Sequence, residues 1–119
     1  MFFTDEEKIA IMRVAFAMAS VDENVDKRET ALILMLSTQL NMKESDLDLA
    51  EKLSIPEAGM TIFGMTEEEK CFVCSFLAKI ITIDGEIHPS ELRLWTILSG
   101  FCNFPISLPE AIDKFAEYV

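Results

Sequence analysis

The sequence predicts an all-α protein, a compact helical bundle built from two pseudo-symmetric repeats in one domain over residues 1–119. Three observations carry this. No segment sustains the period-two alternation of a half-buried strand. Capping-box signatures stand before apolar runs at Thr4-x-x-Glu7 and Thr66-x-x-Glu69, and again at Ser107-x-x-Glu110. The chain also matches itself at an offset of 62 residues. At that offset Thr4-Asp5-Glu6-Glu7-Lys8 falls on Thr66-Glu67-Glu68-Glu69-Lys70. Asp22 falls on Asp84, Glu29 on Glu91, Leu32 on Leu94, Leu36 on Leu98, Asn41 on Asn103 and Ser45 on Ser107.

The repeats span about 4–53 and 66–118, and each reads as helix, tight turn, helix, short helix. The first helix of each copy runs from its threonine cap to Ser20 or Thr82. Ile9, Met12, Phe16 and Ala19 form one stripe, widened by Ala10, Val14, Ala17 and Val21. Cys71, Phe72, Val73, Cys74, Phe76, Leu77, Ile80 and Ile81 do the same in the second copy. Helices apolar over so much of their circumference belong inside a bundle. Second helices are expected over Lys27–Leu40 and Pro89–Phe101, and third helices near Ser45 and Ser107. Between the copies, Ser54 to Met65 holds Pro56, Gly59, Gly64 and β-branched residues, which predict a single helical turn or an extended crossover.

The turn Asp84-Gly85-Glu86-Ile87-His88-Pro89-Ser90-Glu91 has a sufficient structural account for most of its residues. Gly85 suits a left-handed residue closing a helix, and Pro89 suits the first position of the next. Ile87 and Leu92 have the spacing of a hydrophobic staple, and Glu91 can cap backward, as Glu29 can in Asp26-x-x-Glu29. Asp22 and Asp84 are different. Each stands at the C-terminal end of a helix, where the macrodipole disfavours negative charge. An acid at the same turn in both copies, beside other acids, is how a hard cation is held. Asp22-x-Asn24-x-Asp26 begins like an EF-hand loop, but Lys27 replaces the turn glycine and Ile33 the closing glutamate. Any such site is therefore assembled from shorter turns.

The formal charge is −11, with 12 acidic and 6 basic residues in positions 1–62 and 9 and 4 in the remainder. No basic patch can neutralise several phosphates, which excludes nucleic acid as the expected partner, and an anionic membrane surface with it. Cations and basic protein partners are left. The longest uncharged run, Leu94 to Pro109, is broken by Gly100 and Pro105 and is not a membrane span. The stretch MFFTDEEK is acidic and does not read as a signal peptide. Three cysteines without secretory context predict reduced thiols in a cytoplasmic protein.

The pattern Asp-Gly-x-Ile-x-x-x-Glu after an apolar helix, in two copies of an acidic all-α chain, resembles the tellurite-resistance TerB-like family. Asp84 to Glu91 fits that motif throughout, whereas Asp22-Glu23-Asn24-Val25-Asp26-Lys27-Arg28-Glu29 carries Glu23 in place of the glycine. The resemblance implies a bundle of about seven helices and a link to tellurite or stress response. It also implies a divalent-metal site, whose carried-over residues here are Asp22, Glu29, Asp84 and Glu91. Oxygen donors alone favour calcium or magnesium. The resemblance implies no enzymatic activity, and no nucleophile–base set or paired-acid cleft suggests one. Cys71-x-x-Cys74 lies inside an apolar helix without a second pair, so buried thiols are expected rather than zinc or redox chemistry. His88 reads as a solvated turn residue. The alternative to a metal-binding domain is an acidic protein-interaction module without metal.

Overall fold

The computed structural model describes residues 1–22 and 26–119. Among these residues there is no strand. The helices are α1 (Asp5–Ser20), α2 (Lys27–Gln39), α3 (Glu44–Lys52), α4 (Ile55–Phe63), α5 (Glu67–Thr82), α6 (Pro89–Cys102) and α7 (Leu108–Lys114), and a 3-10 turn, Phe115–Tyr118, closes the chain. None is long and apolar enough to cross a membrane.

The predicted caps form. Thr4 Oγ1 accepts from Glu7 N at 3.1 Å and Glu7 Oε1 accepts from Thr4 N at 2.8 Å. Thr66 and Glu69 repeat this at 3.1 and 2.9 Å. Ser107 and Glu110 cap α7 in the same way. Each cap supplies acceptors to amides that an isolated helix end leaves unbonded, about 1 kcal/mol apiece. Asn41 and Asn103 both adopt left-handed backbone, at φ 53° and 57°, where asparagine is among the few residues that fit.

One expectation is corrected. The segment between the halves is a nine-residue helix, α4, rather than one turn or an extended crossover. Ser54 caps it by accepting from Glu57 N at 3.2 Å, and Pro56 sits in its first turn, where a missing N–H costs nothing. Gly59 is used for clearance: a Cβ there would lie 2.5 Å from Phe101 Cδ1 and Cε1. Packing of α4 on α6 thus outweighs the low helix propensity of glycine. Helix α3 begins at Glu44, next to the Ser45 expected, as α7 begins next to Ser107. Asp46 Oδ2 accepts from Lys43 N at 3.0 Å, so Ser45 lies within the first turn.

The core is centred on α1 and α5, which pack against each other. Ala10, Ile11, Met12, Val14, Ala15, Met18 and Ala19 are buried on α1, and Phe72, Val73, Cys74, Phe76, Leu77, Ala78, Ile80 and Ile81 on α5. Of the stripe predicted for α1, Ile9, Phe16 and Ala17 are only partly buried. Cys71 also stays partly exposed, whereas Cys74 and Cys102 are buried, all three as free thiols. Helix α3 packs on α1 and α7 on α5, while α2 and α6 pack on both central helices. Phe72 meets Phe3, Phe76 and Tyr118 with ring centroids 5.0–5.3 Å apart, pinning the C-terminal turn to α5.

Candidate metal centre

Helices α1 and α5 end at Ser20 and Thr82, and α2 and α6 begin at Lys27 and Pro89. Asp22 and Asp84 therefore lie just past the first pair of helices, and Glu29 and Glu91 at the third position of the next pair. Gly85 carries the second turn at φ 86°, with its N–H bonded to Thr82 O at 3.0 Å. The corresponding replacement, Glu23 for glycine, lies outside the described residues, as does Val25. Ile87 and Leu92, spaced for a staple, are both about half exposed.

Both cap glutamates are buried, Glu29 at 3% exposure and Glu91 at 2%. Each spends one oxygen on its cap. Glu29 Oε1 accepts from Asp26 N at 3.1 Å, and Glu91 Oε1 accepts from His88 N at 3.2 Å. The other oxygen of Glu29, Oε2, is buried without a hydrogen-bond partner among the described residues. Burial pushes the Glu29 carboxyl above its ordinary range, the Asp26 amide pulls it back, and the charges of Asp22, Asp84 and Asp26 raise it further. Burial pushes Glu91 up to about 7 against the pull of its bond from His88 N, and Glu29 and Asp22 add to the rise. The four predicted acids thus share one electrostatic neighbourhood. An orphaned carboxylate oxygen in a dry setting is costly, and a proton, a water or an ion on it relieves that cost.

Asp84 is tied down locally. Its Oδ1 accepts from Glu86 N at 3.1 Å, which holds its carboxyl below the ordinary range, helped by His88. Its Oδ2 lies 3.0 Å from His88 Nε2, and Asp22 Oδ2 lies 3.8 Å from the same nitrogen. The bond to Asp84 raises the imidazole pKa, with Glu91 and Asp22 adding to it. One ligand atom each from Asp22, His88 and Glu91 falls within 4.8 Å of the others, close enough for one ion to touch all three. Two carboxylates and an imidazole nitrogen fit a divalent cation; Glu29, with its orphaned oxygen, and Asp84 adjoin this trio and are not part of it.

His88 was read from the sequence as a solvated turn residue, yet its side chain is in the cluster. A signal was available. It stands four residues after Asp84, so the left-handed turn at Gly85 folds it back on that aspartate. It also occupies the N-cap position of α6, at φ −80° and ψ 142°, and is held there by Glu91 and Pro89. At the register of 62 its counterpart is Asp26, which instead pairs with Arg28 at 3.0 Å.

The fold and these residues define an acidic seven-helix bundle with a carboxylate–histidine cluster between two inter-helix turns. It is similar to the crystal structure of a protein of unknown function from Porphyromonas gingivalis W83, with a TM-score of 0.77, 30% identity and 98% of each chain covered. This chain belongs to the same family as that protein. No family model and no curated protein matches it.

Proposed function

We propose that this chain is a non-enzymatic, TerB-like helical domain that holds a divalent cation between the α1–α2 and α5–α6 turns. The observation that carries the reading is Glu29 Oε2, buried and, among the described residues, unbonded, beside Asp22, Asp26 and Asp84. Capping explains one oxygen of each glutamate and leaves the other for an ion. A cation there would also offset repulsion within a chain of charge −11. The carboxylates alone suit calcium or magnesium, with water completing the shell and affinity on the order of 10⁻⁴ to 10⁻³ M. The resemblance extends the reading to a cytoplasmic role in tellurite or stress response.

The test is thermal melting of chelator-stripped protein with and without millimolar divalent cation. At that affinity millimolar ion is about one to ten times its Kd and stabilises the fold by about 0.4–1.4 kcal/mol. The melting temperature should therefore rise in wild type and much less in Asp84→Asn and Glu29→Gln. Superimposable curves for wild type, with chelator and with every ion tried, reject the reading.

One observation favours the second reading, docking of a basic protein. A groove of about 570 Å³ between α1, α3 and α4 is lined by Ile9, Leu49, Leu53 and Met60, with Glu6 and Glu57 beside them. Met60 is 70% exposed. An apolar floor with acidic neighbours fits a basic amphipathic helix. Failure of the melting test would leave this reading ahead.

A further inference from the structure

We propose that His88 Nε2 is a direct ligand, and that the site prefers a nitrogen-accepting transition-metal dication such as manganese(II), iron(II) or zinc(II) over calcium and magnesium. This rests on the cation-site reading above and narrows it to a metal class. The geometry supplies the first reason. His88 Nε2 is 3.0 Å from Asp84 Oδ2 and 3.8 Å from Asp22 Oδ2, and it shares the 4.8 Å cluster with Asp22 and Glu91. Adjacent ligands around an octahedral ion with bonds of about 2.1 Å lie about 3.0 Å apart, and opposite ones about 4.2 Å. The nitrogen therefore already stands at ligand separation from two carboxylates on different turns.

The second reason is how the ring is held. Backbone and side chain of His88 are anchored by different carboxylates: Glu91 takes its N–H and Asp84 its ring nitrogen. Its side chain is about one-third exposed, so an ion can reach it without the bundle opening. Third is the buried Glu29 Oε2, a carboxylate oxygen without a hydrogen-bond partner among the described residues, which points to an ion separately from the Asp22–His88–Glu91 trio. Arg28, the basic side chain beside this turn, is committed to Asp26 by two bonds of 3.0 and 3.1 Å.

Ligand chemistry then separates the metals. Calcium and magnesium are hard ions that take oxygen and gain little from imidazole. Manganese, iron and zinc accept carboxylate and imidazole together, with affinity rising toward zinc. A set of Asp22, Glu29, Asp84 and Glu91 with one imidazole suits that second group.

The test is calorimetric titration of the stripped full-length chain with manganese, zinc, calcium and magnesium separately, in wild type, His88→Gln and Glu29→Gln. Manganese and zinc should bind at least roughly tenfold tighter than calcium. His88→Gln should weaken them by roughly tenfold or more while leaving calcium almost unchanged. The chain has a single histidine, so imidazole-nitrogen coupling in the electron spin echo of bound manganese can come only from His88, and needs no variant that might misfold. Calcium binding as tight as manganese, or manganese without nitrogen coupling, overturns this inference and leaves the cation site standing. Zinc binding indifferent to both substitutions assigns zinc to the thiols and also overturns it. No binding of any ion rejects both.

Discussion

Glu91 is asked to cap a helix and to sit buried among like charges, and its ionisation carries a measurable cost. Below about pH 4.5 the carboxyl is neutral in folded and unfolded chains alike, and the fold keeps its full stability. Between about 4.5 and about 7 the unfolded chain releases the proton while the folded chain retains it, so stability falls as pH rises. Above about 7 the loss is complete, on the order of 3 kcal/mol at 1.36 kcal/mol per unit. His88 acts with the same sign, because its raised pKa means stability is lost as pH climbs through its folded value. The metal-free protein should therefore melt at a lower temperature at pH 7.5 than at pH 5, and Glu91→Gln should flatten most of that slope. A wild-type profile that rises over this interval would refute the assignment. The thiols offer a second test at this scale. Burial pushes Cys102 up to about 11 and Cys74 higher still, whereas Cys71 is partly exposed. A thiol reagent at pH 8 should modify Cys71 first and reach Cys74 and Cys102 only on unfolding; simultaneous labelling of all three would contradict the packing of α5.

Among the helices, α4 shows where a sequence stops being legible. Its propensities are poor, and the local signals that favour it, Ser54 with Glu57 and Pro56 in the first turn, are outvoted by Gly59, Thr61 and Ile62. What makes the helix is tertiary: Ala58, Gly59 and Ile62 are buried, and Phe101 of α6 closes over Gly59. The long helices were readable because their caps and apolar faces are local. The positions of the four acids were readable because each follows or opens a helix. The role of His88 was not, since it depends on the fold of a turn and on the approach of a second turn from 62 residues away. Gly59→Ala tests the α4 argument by a reversal of sign. In wild type the new methyl meets the Phe101 ring, and stability should fall by about 1–3 kcal/mol. With Phe101→Ala in the background the same change should stabilise by about 0.5–1 kcal/mol, the helix preference of alanine over glycine. Two effects of equal sign would show that the ring gives way without cost.

Across the whole molecule, α1 and α5 begin 62 residues apart, as do α2 and α6, while α4 stands between the halves. Superposition of residues 4–53 on residues 66–118, with α4 excluded, should match helix for helix; halves of different helix order would defeat the duplication. Both halves contribute to the cluster: Asp22 from the first, His88 and Glu91 from the second, with Glu29 and Asp84 beside them. That division has a kinetic consequence. Neither half alone presents the full set of donors, so an ion grips the bundle only after the two have docked. Contacts made after the rate-limiting step slow escape from the native state and leave the speed of reaching it unchanged. In a chevron plot, saturating metal should lower the unfolding limb and leave the folding limb where it was. The ion would then act as a latch, setting how long the two halves stay together rather than how quickly they meet.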